Sequence, residues 1–392
     1  MRILFVGGGT LGSVSPLLAV AEEIRARETT AELRWWGTRS GPERLLIEAA
    51  GMPFRALPAG KLRRYFDVRN FLDVPIIVGA FFAALIRLLQ WRPDVIVGAG
   101  SFVQVPVMWA AACFRIPIVI HQQDVRPGFA NRLVAPFAAA ITATFQESTQ
   151  AFGRHVEVIG NPVRRAVLDA RNISPTEARR KFGLDPERAT VLILGGGTGA
   201  QALNELVRNA LPELTSVTNV IHVTGKGKLI STPPTPPPSG KGGKGEGVRG
   251  VETISPPPFG RGSEGGWGNH YRVFDLLTDD LPLAYAAADL VISRAGMGTI
   301  AELGALGKPT VLIPMPETHQ EDNAAAMEDR GAMLVWHERD LTPNEFARRV
   351  IALLTDVAQR ATLARQCAQV FPTDAAGKIA EIIQNIAKAR KT

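Results

Sequence analysis

Two glycines and four polar side chains fall at a spacing that suits a nucleotide. In DLVISRAGMGTIAELGALGKPTVLIPMPETHQEDN (residues 289–323), Gly296 and Gly298 follow one apolar run, Glu302 comes next, and His319, Gln320 and Asn323 follow a second run. The glycines let backbone N–H groups come close to a ligand. A helix starting near Thr299 aims its positive end at the same place, where a diphosphate is stabilised. Glu302, in the first turn of that helix, suits the two hydroxyls of a ribose. The same position also complements the helix dipole with no ligand present.

The elements that must place these residues are strands alternating with helices. Leu290 to Ser293 and Thr310 to Ile313 are short, β-branched and bounded by Gly or Pro, the pattern of strands buried on both faces. Near the start, Ile3 to Val6 leads into Gly7-Gly8-Gly9-Thr10-Leu11-Gly12-Ser13 and a helix from Pro16 to about Arg27, with Ser15 as its N-cap. Further alternations run Glu32 to Trp36 then Pro42 to Ala50, Asp94 to Val97 then Val103 to Phe114, and Ile118 to His121 then Gly128 to Phe137. The opening recurs where Thr190 to Leu194 precedes Gly195-Gly196-Gly197-Thr198-Gly199-Ala200 and a helix from about Gln201. The fold class is therefore α/β, with two Rossmann-like, doubly wound parallel-sheet domains facing a cleft. Pro and Gly break the pattern at Gly160 to Arg164, giving a first domain of 1–163 and a second of 164–372. A last helix, 373–392, is a candidate to cross back and brace the first domain.

Both glycine loops fit the dinucleotide fingerprint, yet the strands that follow end in Trp35-Trp36-Gly37-Thr38 and His222-Val223-Thr224, without the acidic residue a NAD ribose needs. An oxidoreductase is thereby demoted. Residues 230–269 are dominated by Pro and Gly, lose all apolar periodicity and read as a disordered insertion between strands.

Composition narrows the classes further. At 392 residues the chain suits two domains, and a net charge of +7 permits anionic partners without selecting one. The basic residues are dispersed and no aromatic and basic motif accompanies them, which argues against nucleic acid. Cys113 and Cys367 are far apart with no C-x-x-C spacing, against a disulfide framework or a cysteine metal site. MRILFVGGGT enters a strand directly, so a secretory leader is not expected. The most apolar run, Val74 to Ile86, is shorter than the roughly 20 residues a spanning helix needs. It is either a buried core helix or a helix that dips into an anionic membrane face between its basic flanks.

Taken together, GGGTLGSVSPLLAVAEEI, VGAGSFVQVPVMWAA, HQQDVRPGFANRL, GNPVR, LILGGGTGAQALNE, VTGKGK and the 289–323 stretch resemble, in order and spacing, the MurG-type enzymes. These are bacterial N-acetylglucosaminyltransferases that convert lipid I to lipid II in peptidoglycan synthesis. The resemblance implies a GT-B fold at the cytoplasmic membrane face, with UDP-N-acetylglucosamine held by the second domain and a polyprenyl-diphosphate-linked acceptor by the first. It implies that Glu302 holds the ribose and that Gly296, Met297, Gly298 and Thr299 face the diphosphate. His319, Gln320 and Asn323 would line the sugar and phosphate pocket, Arg164 would reach donor phosphate, and Asn131 would approach the donor sugar. Thr10 and Gly12 of the first loop, and Gly197 and Thr198 of the second, complete the expected donor set. Such an enzyme inverts the anomeric centre by direct displacement and needs neither an obligatory metal nor a cofactor. Asp279-Asp280 fits an N-cap better than a metal motif.

Two departures bear on the catalytic base. The family's first loop usually reads G-G-T-G-G-H, whereas Leu11 replaces a glycine here and Ser13 stands at the histidine. The family's H-E-Q-N becomes His121-Gln122-Gln123-Asp124. Asp124 is the first candidate base and His121 the second, with Ser13 in the acceptor loop. A transferase for a different lipid or glycan acceptor, or a UDP-sugar-binding homologue without turnover, is the alternative reading.

Overall fold

A computed structural model of the protein describes residues 1–58, 60, 69–196, 200–225 and 270–390. The second glycine loop at Gly197 and Thr198 and the 230–269 insertion lie outside the described residues. The first unit contains β1 (Arg2–Val6), α1 (Ser15–Arg27), β2 (Glu32–Thr38), α2 (Glu43–Ala49), β3 (Phe54–Leu57), α3 (Arg69–Gln90), β4 (Val95–Gly98), α4 (Gln104–Cys113), β5 (Ile118–Gln122), α5 (Phe129–Val134), β6 (Ala140–Ala143) and β7 (Glu157–Val158). The second contains α6 (Arg165–Asp169), α7 (Pro175–Lys181), β8 (Thr190–Leu194), α8 (Gln201–Val217), β9 (Asn219–Val223), β10 (Tyr271–Phe274), α9 (Leu281–Ala287), β11 (Leu290–Ser293), α10 (Met297–Leu306), β12 (Thr310–Leu312), α11 (His319–Asp329) and β13 (Leu334–Val335). Helices α12 (Pro343–Thr355), α13 (Val357–Val370) and α14 (Ala375–Ala389) follow.

Among the described residues every strand pair is parallel, in the orders β3-β2-β1-β4-β5-β6-β7 and β10-β9-β8-β11-β12-β13. The central strands are apolar on both faces because helices cover both, so alternation is absent from their sequences. Each order reverses at the first strand of its sheet, between β1 and β4 and between β8 and β11. Loops leaving adjacent strands there diverge and open a crevice at the carboxyl ends. The glycine loops after β1, β8 and β11 all leave from these points.

Helix α14 inserts Ile379, Ala380, Ile383 and Ala387 into the core formed by Ile3, Phe5, Leu17 and Ile24 of the first unit. The chain thus crosses between units twice, and the crossings touch. Gly160 has φ +97°, and a Cβ there would lie 2.5 Å from Pro372 Cγ, so only glycine fits.

The sequence left α3 open between a core helix and a membrane-dipping one, and took its apolar run as too short to span. The helix is longer than that run: Asp73–Gln90 is long and apolar enough to cross a membrane by length and composition. It is two-faced. Ile77, Ala80, Ala84 and Leu88 are buried, while Val74, Val78, Phe82, Ile86 and Leu89 form an exposed stripe at helical spacing.

Two buried histidines tie strand ends together. His121 on β5 shares hydrogen bonds with Thr142 Oγ1 (3.0 Å) on β6 and with Asn161 Oδ1 (3.1 Å) at the crossing. His222 on β9 does the same with Asn204 Oδ1 (3.1 Å) and Tyr271 Oη (3.2 Å). Burial penalises imidazolium and pushes both down to about 4. A histidine depressed in the folded state keeps its full contribution above its unfolded value of about 6.5, and loses it as pH falls toward 4, at about 3 kcal/mol each. The free energy of urea unfolding is expected to decline across that window, and less steeply in a His222→Gln variant. An equally steep decline in the variant would rule this linkage out.

Candidate active site

The glycine loop after β11 is drawn tight by α10. Gly296 is the N-cap, in extended conformation, and the helix begins at Met297, earlier than Thr299. This corrects the expected place of Glu302, which lies in the second turn instead of the first. Its dipole role therefore weakens, since that field fades within the first turn. Glu302 is only 6 % exposed. Tyr285 Oη donates to its Oε2 at 2.8 Å, and Ser15 Oγ donates to its Oε1 at 3.2 Å. Burial raises the carboxyl's pKa, while Arg164 and the two hydroxyl bonds oppose the rise.

Ser15 is a second correction. It was expected to cap α1, but Val14 occupies the N-cap without a side-chain bond, and the Ser15 hydroxyl instead crosses the cleft to Glu302. The first glycine loop also meets the third, since a Cβ built on Gly298 would lie 4.0 Å from the Gly12 carbonyl oxygen. Thr10 and Gly12 are exposed on that wall. The cleft is closed.

Helix α11 supplies the opposite edge. Thr318 caps it by accepting from the Gln320 N–H (3.2 Å), which leaves His319 exposed as the first helical residue. Gln320 Oε1 accepts from the backbone of Ala295 (3.2 Å) and Met315 (3.1 Å), joining the loops after β11 and β12. Asn323 is fully buried. Its Oδ1 accepts from Val125 N (3.1 Å), and its Nδ2 donates to Asp124 Oδ1 (3.0 Å) and to the Ala295 carbonyl (3.1 Å). Beside it Arg126 pairs with Asp322 at 3.0 Å.

The candidate bases separate clearly. Asp124 is half-buried at the cleft edge, with Asn323 as its side-chain partner. His121 is 1 % exposed with both ring nitrogens engaged, so the expectation that it serves as an alternative base is corrected: it is a strut between strands. Ser13 is buried, and its Oγ has no hydrogen-bond partner among the described residues. Asn131 is a further correction. It was expected to approach the donor sugar, but its Oδ1 accepts from Gln104 Nε2 (2.7 Å) and its Nδ2 donates to Gln122 Oε1 (2.8 Å) and the His121 carbonyl (3.0 Å). Those bonds lie wholly inside the first unit. Arg164 is the N-cap of α6, near enough to Glu302 to lower its pKa, and its Nε is buried without a hydrogen-bond partner among the described residues. Asp280 sits at the N-cap of α9 but makes no side-chain cap bond. Among the described residues no three His, Cys, Asp or Glu side chains group as a metal would require.

Sequence reasoning missed Ser15, Tyr285, Glu43 and Gln104. Tyr285 sits in an apolar helix and Ser15 beside a helix-starting proline, so neither carries a local signal of its partner.

Comparison with known proteins places this geometry. Residues 3–143 match the glycosyltransferase family 28 N-terminal domain, and residues 190–254 and 257–379 match the family 28 C-terminal domain. A protein of Clostridium kluyveri named UDP-N-acetylglucosamine--N-acetylmuramyl-(pentapeptide) pyrophosphoryl-undecaprenol N-acetylglucosamine transferase is 33 % identical over 388 residues, 98 % of this chain and 99 % of its own. A protein of the same name from Nocardioides is 35 % identical over 388 residues, 98 % of this chain and 97 % of its own. Among solved structures, MurG of Acinetobacter baumannii superposes with a TM-score of 0.68 at 24 % identity, covering 98 % of this chain and 99 % of that one. The calicheamicin glycosyltransferase CalG4 superposes at 0.65 and 15 % identity, covering 98 % of each chain. The two facing parallel sheets are the GT-B arrangement, and the chain belongs to glycosyltransferase family 28.

Proposed function

We propose that this chain transfers N-acetylglucosamine from UDP-N-acetylglucosamine to lipid I, the undecaprenyl-diphosphate-linked N-acetylmuramoyl-peptide, giving lipid II. The observation that carries the reading is the end-to-end match to relatives bearing the name of that transferase. The cleft chemistry supports it. Residues 164–372 serve as the donor half, with the amides at the start of α10 on the diphosphate and Glu302 on the ribose, where a ligand hydroxyl takes over from Ser15. Residues 1–163 serve as the acceptor half, and 373–392 belong with them. In the transfer, the acceptor oxygen attacks the anomeric carbon as the bond to UDP breaks with inversion. Asp124 takes the hydroxyl proton, and the α10 amides and Arg164 stabilise the diphosphate leaving group.

The exposed stripe of α3 supports docking on an anionic membrane face at the cytoplasmic side, where a lipid-linked acceptor resides. Arg87 strengthens this. Burial first, then the repulsion of Arg55 and Arg39, lowers its pKa, so three guanidinium groups converge beside the helix.

UDP release from UDP-N-acetylglucosamine is expected only when lipid I is supplied, and Glu302→Ala should cut kcat/KM by about a hundredfold or more by removing charged hydrogen bonds to ribose. Release independent of lipid I, or full activity in the variant, contradicts the assignment. Asp124→Asn should lower kcat by about 10² to 10⁴ while donor affinity holds, the range of a lost general base. A fully active Asp124→Asn enzyme sinks that role. Replacing Phe82, Ile86 and Leu89 by serine should weaken binding to anionic vesicles at least about tenfold, as expected from losing roughly 1.5–3 kcal/mol per inserted side chain. Flotation of the variant equal to that of the native chain refutes docking through this stripe.

A further inference from the structure

Glu43, the first residue of α2, is a carboxylate with no exposed surface and no cation against it among the described residues. Its Oε1 accepts from the Thr38 N–H (2.7 Å) and the Thr38 hydroxyl (2.6 Å), and its Oε2 accepts from the Gly9 N–H (3.2 Å). Burying such a group is costly, so its position calls for a reason. Space for it is made by glycine, since a Cβ on Gly8 or Gly41 would overlap its carboxylate.

The Gly9 N–H belongs to the same peptide plane as the Gly8 carbonyl, and that carbonyl accepts from Ser101 Oγ at 2.8 Å. One peptide unit is thus gripped at both ends, by α2 on one side and by the turn before α4 on the other. The preceding plane is held as well, by Trp35 Nε1 donating to the Gly7 carbonyl at 2.8 Å. Immediately beyond the grip, Gly9 turns the chain at φ +85°, and Leu11 accepts from the amides of Val14 and Ser15. Among the described residues the amides of Thr10, Leu11 and Gly12 have no hydrogen-bond partner, and Thr10 and Gly12 are exposed. The Gly12 carbonyl is the group that meets the Gly298 loop.

We infer that Glu43 and Ser101 are positioning residues that lock the Gly8–Gly9 peptide plane, so that the following amides of the first loop are aimed at the anionic diphosphate of the acceptor. This rests on the proposed transferase reading. The inference moves Thr10 and Gly12 from the donor set expected of them to the acceptor, because their loop belongs to the first unit, whereas the α10 amides and Glu302, assigned to the donor, share no hydrogen bond with Glu43 or Ser101 among the described residues. Free rotation of the gripped plane would turn the Gly9 N–H outward and swing Thr10 away from the cleft.

The test uses the full chain as native protein, Glu43→Gln, Ser101→Ala and the double variant. Glu43→Gln keeps the shape but presents an NH₂ group where an acceptor is needed, and Ser101→Ala frees the other end of the same plane. UDP release is measured against lipid I concentration at saturating UDP-N-acetylglucosamine, donor affinity by calorimetry, and Tm by scanning. Each single variant is expected to lose about tenfold or more in kcat/KM for the acceptor with donor affinity unchanged. The double variant should be no worse than the poorer single by more than about threefold, because both release one plane. Unchanged acceptor kinetics overturns the inference, as do losses that multiply in the double variant and follow Tm. If Glu43→Gln fails to fold, the Ser101→Ala comparison decides alone. Absence of turnover in the native chain refutes the transferase reading instead, and amide exchange at Gly9 then decides the lock: faster exchange in Ser101→Ala supports it, and unchanged exchange overturns it.

Discussion

One buried amide holds the two halves of the cleft in register. Asn323 on α11 is completely enclosed, and three of its four hydrogen-bonding capacities are used, two of them by residues of the opposite unit. Leaving its partners unpaired costs about 1–3 kcal/mol per group, so the loop carrying Asp124 and the loop carrying Gly296 cannot drift apart while the cleft is closed. Everything else that meets across the cleft, including Ser15 against Glu302 and Gly12 against Gly298, is placed within that frame.

Beneath the cleft each unit uses the same device. Side-chain amides and histidines at the carboxyl ends of parallel strands satisfy loop backbone that water cannot reach. In the first unit Gln104, Asn131 and Gln122 form a chain of amides from the Gly100 N–H to the Asp124 carbonyl. In the second, Asn204 joins His222 to the Thr224 carbonyl. Fully paired networks of this kind stiffen a site, whereas half-paired ones weaken it. Residues that resemble substrate ligands by type, Asn131 and His121 among them, are consumed in this way.

The strands and the glycine loops were legible because their signals are local: an apolar run of about five residues and a glycine that must turn or be approached closely. The central strands of both sheets could be placed from that alone, whereas β3, β6 and β7 of the first sheet carried no such signal and were missed. What could not be placed were pairings between distant positions. Ser15 and Glu302 are 287 residues apart, and nothing in SVSP announces a hydroxyl aimed at another domain. Glu43 reads as an ordinary first-turn helical carboxylate, and only the packing of three glycines around it reveals its burial. The start of α10 was set two residues late, since Gly298 is a poor helix former and a tertiary loop decided the matter. For α3 the apolar count was readable, but which side met the core depended on α4.

The paired crossings at Gly160 and Pro372 carry a mechanical consequence. Two segments of the chain lie side by side there with no room for a side chain between them, which makes them a narrow joint between the units. Helix α14 moves with the first sheet, since it is part of that core. Any opening of the cleft must therefore bend both crossings together, since neither can move past the other.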